Sequence, residues 1–87
     1  MPYAVAINRS AERELKSLAP DIARRVGNQL QALAENPRPA QSTRLKGRPN
    51  FRVRVGVYRV VYSVDDAEEK VTIIAVGHRR EVYRRRR

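Results

Sequence analysis

Residues 51 to 64 restrict the fold more than any other stretch of this chain. Phe51, Val53 and Val55 alternate with Arg52 and Arg54, Gly56 follows, and Val57 to Val64 is dense in β-branched and aromatic residues. A period of two with a glycine between the two runs predicts a pair of antiparallel strands whose apolar side chains face one way and whose arginines face the other. Asp65-Asp66-Ala67-Glu68-Glu69 then reads as a polar turn, and Val71 to Val76 as an apolar run suited to a central strand.

Upstream the period changes. Tyr3 to Ile7 is a short apolar opening strand. Ser10 reads as the N-cap of a short helix, with Glu12 and Glu14 near its positive end and Ala11, Leu15 and Leu18 at helical spacing. Ala19-Pro20-Asp21 starts a second helix, because proline is tolerated at the first helical position. In it Ile22, Val26, Leu30, Leu33 and Ala34 form the core stripe, while Arg24, Arg25 and Gln29 face out. Asn36-Pro37 ends it. The proline- and glycine-containing stretch from 36 to 50 is an irregular connection with room for a short edge strand around Thr43-Arg44-Leu45. The expected fold class is therefore α+β, two N-terminal helices packed on a small antiparallel sheet in the order β-α-α-β-β-β. Its 87 residues form a single domain, 1–87, whose ligand site is expected to be a surface cleft.

Charge narrows the partner. Hydrophobic residues at 41% suffice for a small core, but nineteen basic residues face nine acidic ones, and sixteen of the nineteen are arginine. Most of the excess lies in the second half, from Arg44 onward, so the sheet half is expected to meet a polyanion. Arginine grips phosphate bidentately and stacks on bases, which lysine does not. An arginine bias that merely reflects genome composition is the alternative. Without cysteine there is no disulfide or thiolate metal site, and a single histidine does not build a zinc site. No metal and no cofactor are expected. No run approaches the length of a membrane span and no leader pattern opens the chain, which predicts a cytoplasmic protein without membrane contact.

Two groups of residues can carry chemistry. Arg52 and Arg54 share a strand face, and pairing through Gly56 brings Arg59 beside them. Like charges this close are unfavourable, about 1 kcal/mol at 4 Å even in water, unless an anion sits among them. The competing reading is a solvated strand face whose arginine stems cover the sheet. The second group, His78-Arg79-Arg80-Glu81-Val82-Tyr83, follows Val76-Gly77, where a turn would lay it over the hairpin face. Metal-free cleavage of an RNA phosphodiester needs a base, an acid and cations for the charge developing on phosphorus. Arginine supplies only the last, so His78 and Tyr83 are the candidate proton carriers. A lone histidine is more often structural than catalytic, and Tyr83 is also readable as a C-terminal aromatic packing on the sheet. Lys46, Arg52, Arg54, Arg80 and Arg84 are candidate nucleic-acid contacts, and the terminal Arg84 to Arg87 is a nonspecific phosphate contact or a loose end. The acidic turn is better read as a solvated hairpin turn than as a metal site.

Three pieces, Arg44-Leu45-Lys46-Gly47, then Phe51 to Tyr62, and Val76-Gly77-His78-Arg79-Arg80-Glu81-Val82-Tyr83, resemble the RelE/ParE superfamily of toxin–antitoxin toxins, as does the order of elements over nearly the whole chain. In the RelE branch the resemblance implies a toxin that enters the ribosomal A site and cuts messenger RNA, leaving a 2′,3′-cyclic phosphate. It puts Arg52 and Arg54 in charge stabilisation, Arg59 and Arg79 on the scissile phosphate, and Tyr83 in stacking on a codon base. The chain departs from that pattern in having arginine where lysine is familiar at 52 and 54, and His78 where other members have lysine. The resemblance also implies a cognate RelB-like antitoxin that supplies an amphipathic helix and acidic residues. The ParE branch shares the scaffold but inhibits DNA gyrase by binding, without nuclease chemistry. A plain nucleic-acid-binding module is a third reading, which explains the charge but not the proton-capable neighbours.

Overall fold

The structure, a computed structural model, describes residues 2–45 and 50–78. The chain runs β1 (Ala4–Ile7), α1 (Arg9–Lys16), α2 (Pro20–Glu35), β2 (Thr43–Arg44), β3 (Phe51–Val55), β4 (Tyr58–Asp65) and β5 (Lys70–His78). The five strands form one sheet in the order β1-β5-β4-β3-β2. Three pairings are antiparallel, but β1 runs parallel to β5, with Val5 opposite Val71 and Ile7 opposite Ile73. The sheet is thus not wholly antiparallel as expected. The two helices between β1 and the rest of the sheet form the crossover that a parallel neighbour requires.

The local signals of the helices act largely as the sequence suggests, except at the start of α1. Its N-cap is Asn8 and not Ser10: the Asn8 side-chain oxygen accepts the Ala11 amide at 2.9 Å, and Ser10 lies inside the helix with its hydroxyl donating to the same oxygen at 3.2 Å. Both residue types cap well, so the choice falls to tertiary structure. The Asn8 amide is anchored to the Ile73 carbonyl on β5, which ends β1 and sets where the helix begins. In α2, Pro20 occupies the first turn and Asn36, in extended conformation, closes the helix before Pro37.

One core joins both layers. Val26, Leu30 and Leu33 of α2 and Ala11 of α1 pack on Val53, Val60, Tyr62, Val71, Ile73 and Val76 of the sheet. Each fully buried aliphatic side chain contributes roughly 1.5–3 kcal/mol, so this single layer of contacts carries the fold. Among the described residues the opposite sheet face holds a small second cluster, Val61 and Ala75 with Leu45 and Ile74.

A bulge decides which face the end of β5 presents. Val61 pairs with Ala75 but Tyr62 pairs with Ile73, leaving Ile74 as the extra residue of β5. Ile74 and Ala75 consequently both belong to the second cluster, and the alternation resumes one residue out of step, with Val76 back in the main core. Gly77 does not turn the chain as expected. It is a buried residue within β5, which continues to His78, and the run around Val71 to Val76 lies second from the edge while β4 takes the centre.

Candidate RNA-facing site

The pairing of β3 with β4 builds the site. Arg54 stands directly opposite Arg59, and Arg52 opposite Val61. Since Val53, Val60 and Tyr62 point into the main core, Arg52, Arg54 and Arg59 all project from the sheet face opposite α1 and α2. Arg54 is exposed, Arg52 half-buried, and Arg59 only 8% exposed. On its other flank Arg59 faces Gly77 of β5, which has no side chain to fill the space beside the arginine stem. A guanidinium fixed by the sheet beneath it, with a second one across the strand, is suited to bidentate capture of an oxyanion.

The turn that closes the hairpin uses Gly56 at φ 63°, a left-handed conformation in which glycine carries no Cβ penalty. Above it lies a cation that sequence reading sent to solvent. The Arg25 guanidinium of α2 sits beside this turn, its Nη2 3.5 Å from where a Cβ on Gly56 would stand. No sequence signal announces the contact, because it depends on the angle at which α2 crosses the sheet. Val57, at the tip, is 59% exposed.

Charge is polarised along β4. The basic end carries Arg54, Arg59 and Arg25, whereas the other end of the strand, about seven residues or some 23 Å away, carries Asp65, Asp66, Glu68 and Glu69. There Arg38 closes on Asp66 through two hydrogen bonds of 2.9 and 3.2 Å, and the Tyr3 hydroxyl donates to the same carboxylate at 2.6 Å. The hydrogen bonds from Arg38 and Tyr3 hold the Asp66 carboxyl below its ordinary range, and the bond to Asp66 raises the Tyr3 phenol. Arg38 also lies over the Phe51 ring, 5.5 Å from its centroid, and Phe51 stacks on Tyr62. Tyr62 is buried, its phenol pushed up by that burial, and its hydroxyl donates to the Pro37 carbonyl at 2.8 Å. Tyr62 is therefore a core residue, as is the start of β3 that it clamps.

His78 does not lie over the arginine face. The bulge in β5 places it opposite Tyr58 on the helix side of the sheet, where the two rings meet edge to face at 6.2 Å. Together with Glu14, Ser17, Leu18 and Val76 they line a cleft of about 350 Å³. Glu14 accepts the Val76 amide there at 2.8 Å, closing an N–H on the flank of β5 that β1 no longer covers. His78 and the three arginines thus stand on opposite faces, and the expectation of a proton carrier at 78 beside them is corrected. Arg79, Arg80, Tyr83 and Arg84, and Lys46 before β3, lie outside the described residues. A second, apolar groove of about 720 Å³ runs between β1 and the helices, lined by Tyr3, Val5, Ile7, Leu15, Gly27 and Leu30 among others. Among the described residues no three metal-ligating side chains converge, and no helix is long and apolar enough to cross a membrane.

The fold is shared with proteins already known. The family model described as the ParE toxin of type II toxin–antitoxin systems matches residues 5–83. The chain belongs to the RelE/ParE superfamily of toxins. Toxin RelG of Mycobacterium tuberculosis is 37% identical over 87 residues, covering 98% of this chain and all of the relative. The mRNA interferase toxin RelE of Escherichia coli is 31% identical over 88 residues, covering 95% and 92%. Among solved structures, the RelE–RelB complex of Pyrococcus horikoshii aligns with a TM-score of 0.81 at 29% identity, over 91% of this chain and 97% of that one. The RelBE2 toxin–antitoxin complex of M. tuberculosis aligns with a TM-score of 0.79 at 31% identity, over 90% and 92%. The superfamily assignment covers the whole of the described sheet and both helices of this toxin.

Proposed function

We propose that this toxin is a ribosome-dependent messenger RNA endonuclease. The observation that carries the reading is the cross-strand register of Arg54 with Arg59, which gathers three guanidinium groups on one open sheet face. The relatives named as mRNA interferases supply the reaction class. In that reaction the 2′-oxygen of a nucleotide bonds to the adjacent phosphorus as the bond to the 5′-oxygen breaks, giving a 2′,3′-cyclic phosphate and a 5′-hydroxyl. One proton leaves the 2′-hydroxyl and one reaches the departing 5′-oxygen. Arg59 and Arg54 neutralise charge on the phosphoryl oxygens, where it grows in the transition state, and Arg52 extends the cationic track along the strand. None of the three moves a proton, because guanidinium stays charged. By the resemblance, Arg79 joins Arg59 at the phosphate and Tyr83 stacks on a codon base. Lys46, Arg80 and Arg84 add phosphate contacts. With no strong base among the arginines, orientation of the message by the ribosome supplies much of the rate.

The toxin is held in check by a cognate RelB-like antitoxin whose acidic residues meet the basic sheet face. Its place of action is the cytoplasm, where ribosomes are. The second reading, binding and inhibition of DNA gyrase, is favoured by the description of the matching family model as ParE. Primer extension on messenger RNA during in vitro translation, beside a gyrase supercoiling assay, separates the two. Cuts at codon positions that vanish in Arg59→Ala and Tyr83→Ala are the expected result. Blocked supercoiling without cuts would turn the assignment to the ParE branch. Rapid cutting of naked RNA by the pure protein would remove the ribosome from the mechanism.

A further inference from the structure

We infer that Arg25 of α2 is a phosphate-binding arm at the closed end of the β3–β4 hairpin, gripping the RNA strand beside the Arg54–Arg59 pair. This rests on the reading of the open sheet face as RNA-binding. Arg25 is exposed, and its guanidinium lies against the Gly56 turn. It comes from the opposite layer to the hairpin arginines, so the cationic surface continues around the end of the hairpin from one side of the sheet to the other. From the Arg54–Arg59 pair to the turn is two residues of strand, roughly 7 Å, a step comparable to the distance between neighbouring phosphates in an extended strand.

The acidic residues of β4 and the following turn sit at the far end of the strand, where the Arg38–Asp66 ion pair also lies. Nothing acidic in the hairpin turn itself competes for Arg25. Gly56 itself carries no side chain, so the Arg25 guanidinium lies close over the turn backbone, beside the exposed Val57 at the tip. An extended strand lying on Arg54 and Arg59 therefore meets Arg25 as it leaves the open face. The contact is to phosphate and carries no base preference.

Arg25→Gln, Arg25→Lys and Arg24→Gln in the full chain test this. Binding is measured by anisotropy of a 2′-O-methylated, uncleavable RNA oligonucleotide across a salt series, and cleavage of ribosome-bound message is measured in parallel. Arg25→Gln is expected to weaken oligonucleotide binding roughly tenfold. Its salt slope should fall by about 0.7, the single-strand value for one phosphate. Arg25→Lys should keep most of the slope, and Arg24→Gln should match the wild type. On ribosomes, Arg25→Gln should raise the toxin concentration needed for half-maximal cutting while leaving the saturated single-turnover rate unchanged. If Arg25→Gln has the same oligonucleotide affinity and slope as Arg24→Gln, the arm is refuted, even where the wild type cuts message normally. If the wild type cuts nothing on ribosomes but the Arg25-dependent slope is present, the arm stands and the nuclease reading fails.

Discussion

Replacing Arg54 by glutamine should make the free toxin more stable and less active at once. Arg54 and Arg59 are directly opposite on neighbouring strands, so their Cβ atoms are about 5 Å apart and their charges roughly 6 Å apart. Two unit charges at that separation repel by about 0.7 kcal/mol in water-like surroundings and by roughly 3 kcal/mol at an effective dielectric near 20. Arg54 is exposed and can swing toward solvent, which puts the expected relief near the lower end, about 0.5–1 kcal/mol. For a domain of this size that corresponds to a rise in Tm of roughly 2–6 °C. The assay is thermal unfolding followed by circular dichroism at about 0.02 M and about 1 M salt. Screening at the higher salt, where the Debye length is only about 3 Å, should shrink the difference between variant and wild type. Cleavage of ribosome-bound message should fall by roughly tenfold or more, because the lost cation faces the growing phosphoryl charge. A variant that melts no higher than the wild type at low salt, or whose advantage persists at high salt, would refute the reasoning that these two charges oppose each other.

Three further outcomes follow from the geometry. Asp66 has its carboxyl depressed by Arg38 and Tyr3, so the stabilisation it contributes is present above the unfolded value near 4 and is lost as pH falls through the lower native value. Asp66→Asn should therefore be less stable than the wild type near neutral pH, and denaturant melts of the two should converge as the solution is acidified. Gly56→Ala should cost about 1–2 kcal/mol, because alanine strains at φ 63° while its methyl group would make only an ordinary contact with Arg25; an unchanged Tm would mean that the turn relaxes. Gly27→Ala should add about 0.5–1 kcal/mol, since the residue lies inside α2 and a Cβ there meets nothing within 4 Å. Chemical denaturation at equilibrium measures it, and a loss of stability would mean that the helix needs the glycine for packing.

Much of the arginine face was legible in the sequence, because its determinants are local. Alternation over Phe51 to Val55 puts Arg52 and Arg54 on one side, and a two-residue connection at Gly56-Val57 leaves little freedom in how β4 folds back, so Arg59 had to come near them. The α2 stripe and its proline and asparagine boundaries are of the same kind. His78 was misplaced for an equally definite reason. A turn at Gly77 would lay it over the arginine face, but β5 continues through His78, and a single extra residue, Ile74, sets the parity that turns it to the helix side. A bulge inside an apolar run has no marker in residue types, since Ile-Ile-Ala-Val suits either register.

What the amino-acid order determines by itself, then, is the set of elements, the hairpin with its arginine face, and the overall charge that demands an anionic partner. Only the assembled protein decides that β1 lies parallel to β5, that Asn8 rather than Ser10 starts α1, that Glu14 closes the exposed flank of β5, and that Arg25 reaches the Gly56 turn. The division follows contact distance along the chain. Periodicity and turn chemistry act over a few residues and are written in neighbouring side chains, whereas strand order, bulge position and helix crossing are set by many residues far apart competing to fill one small core.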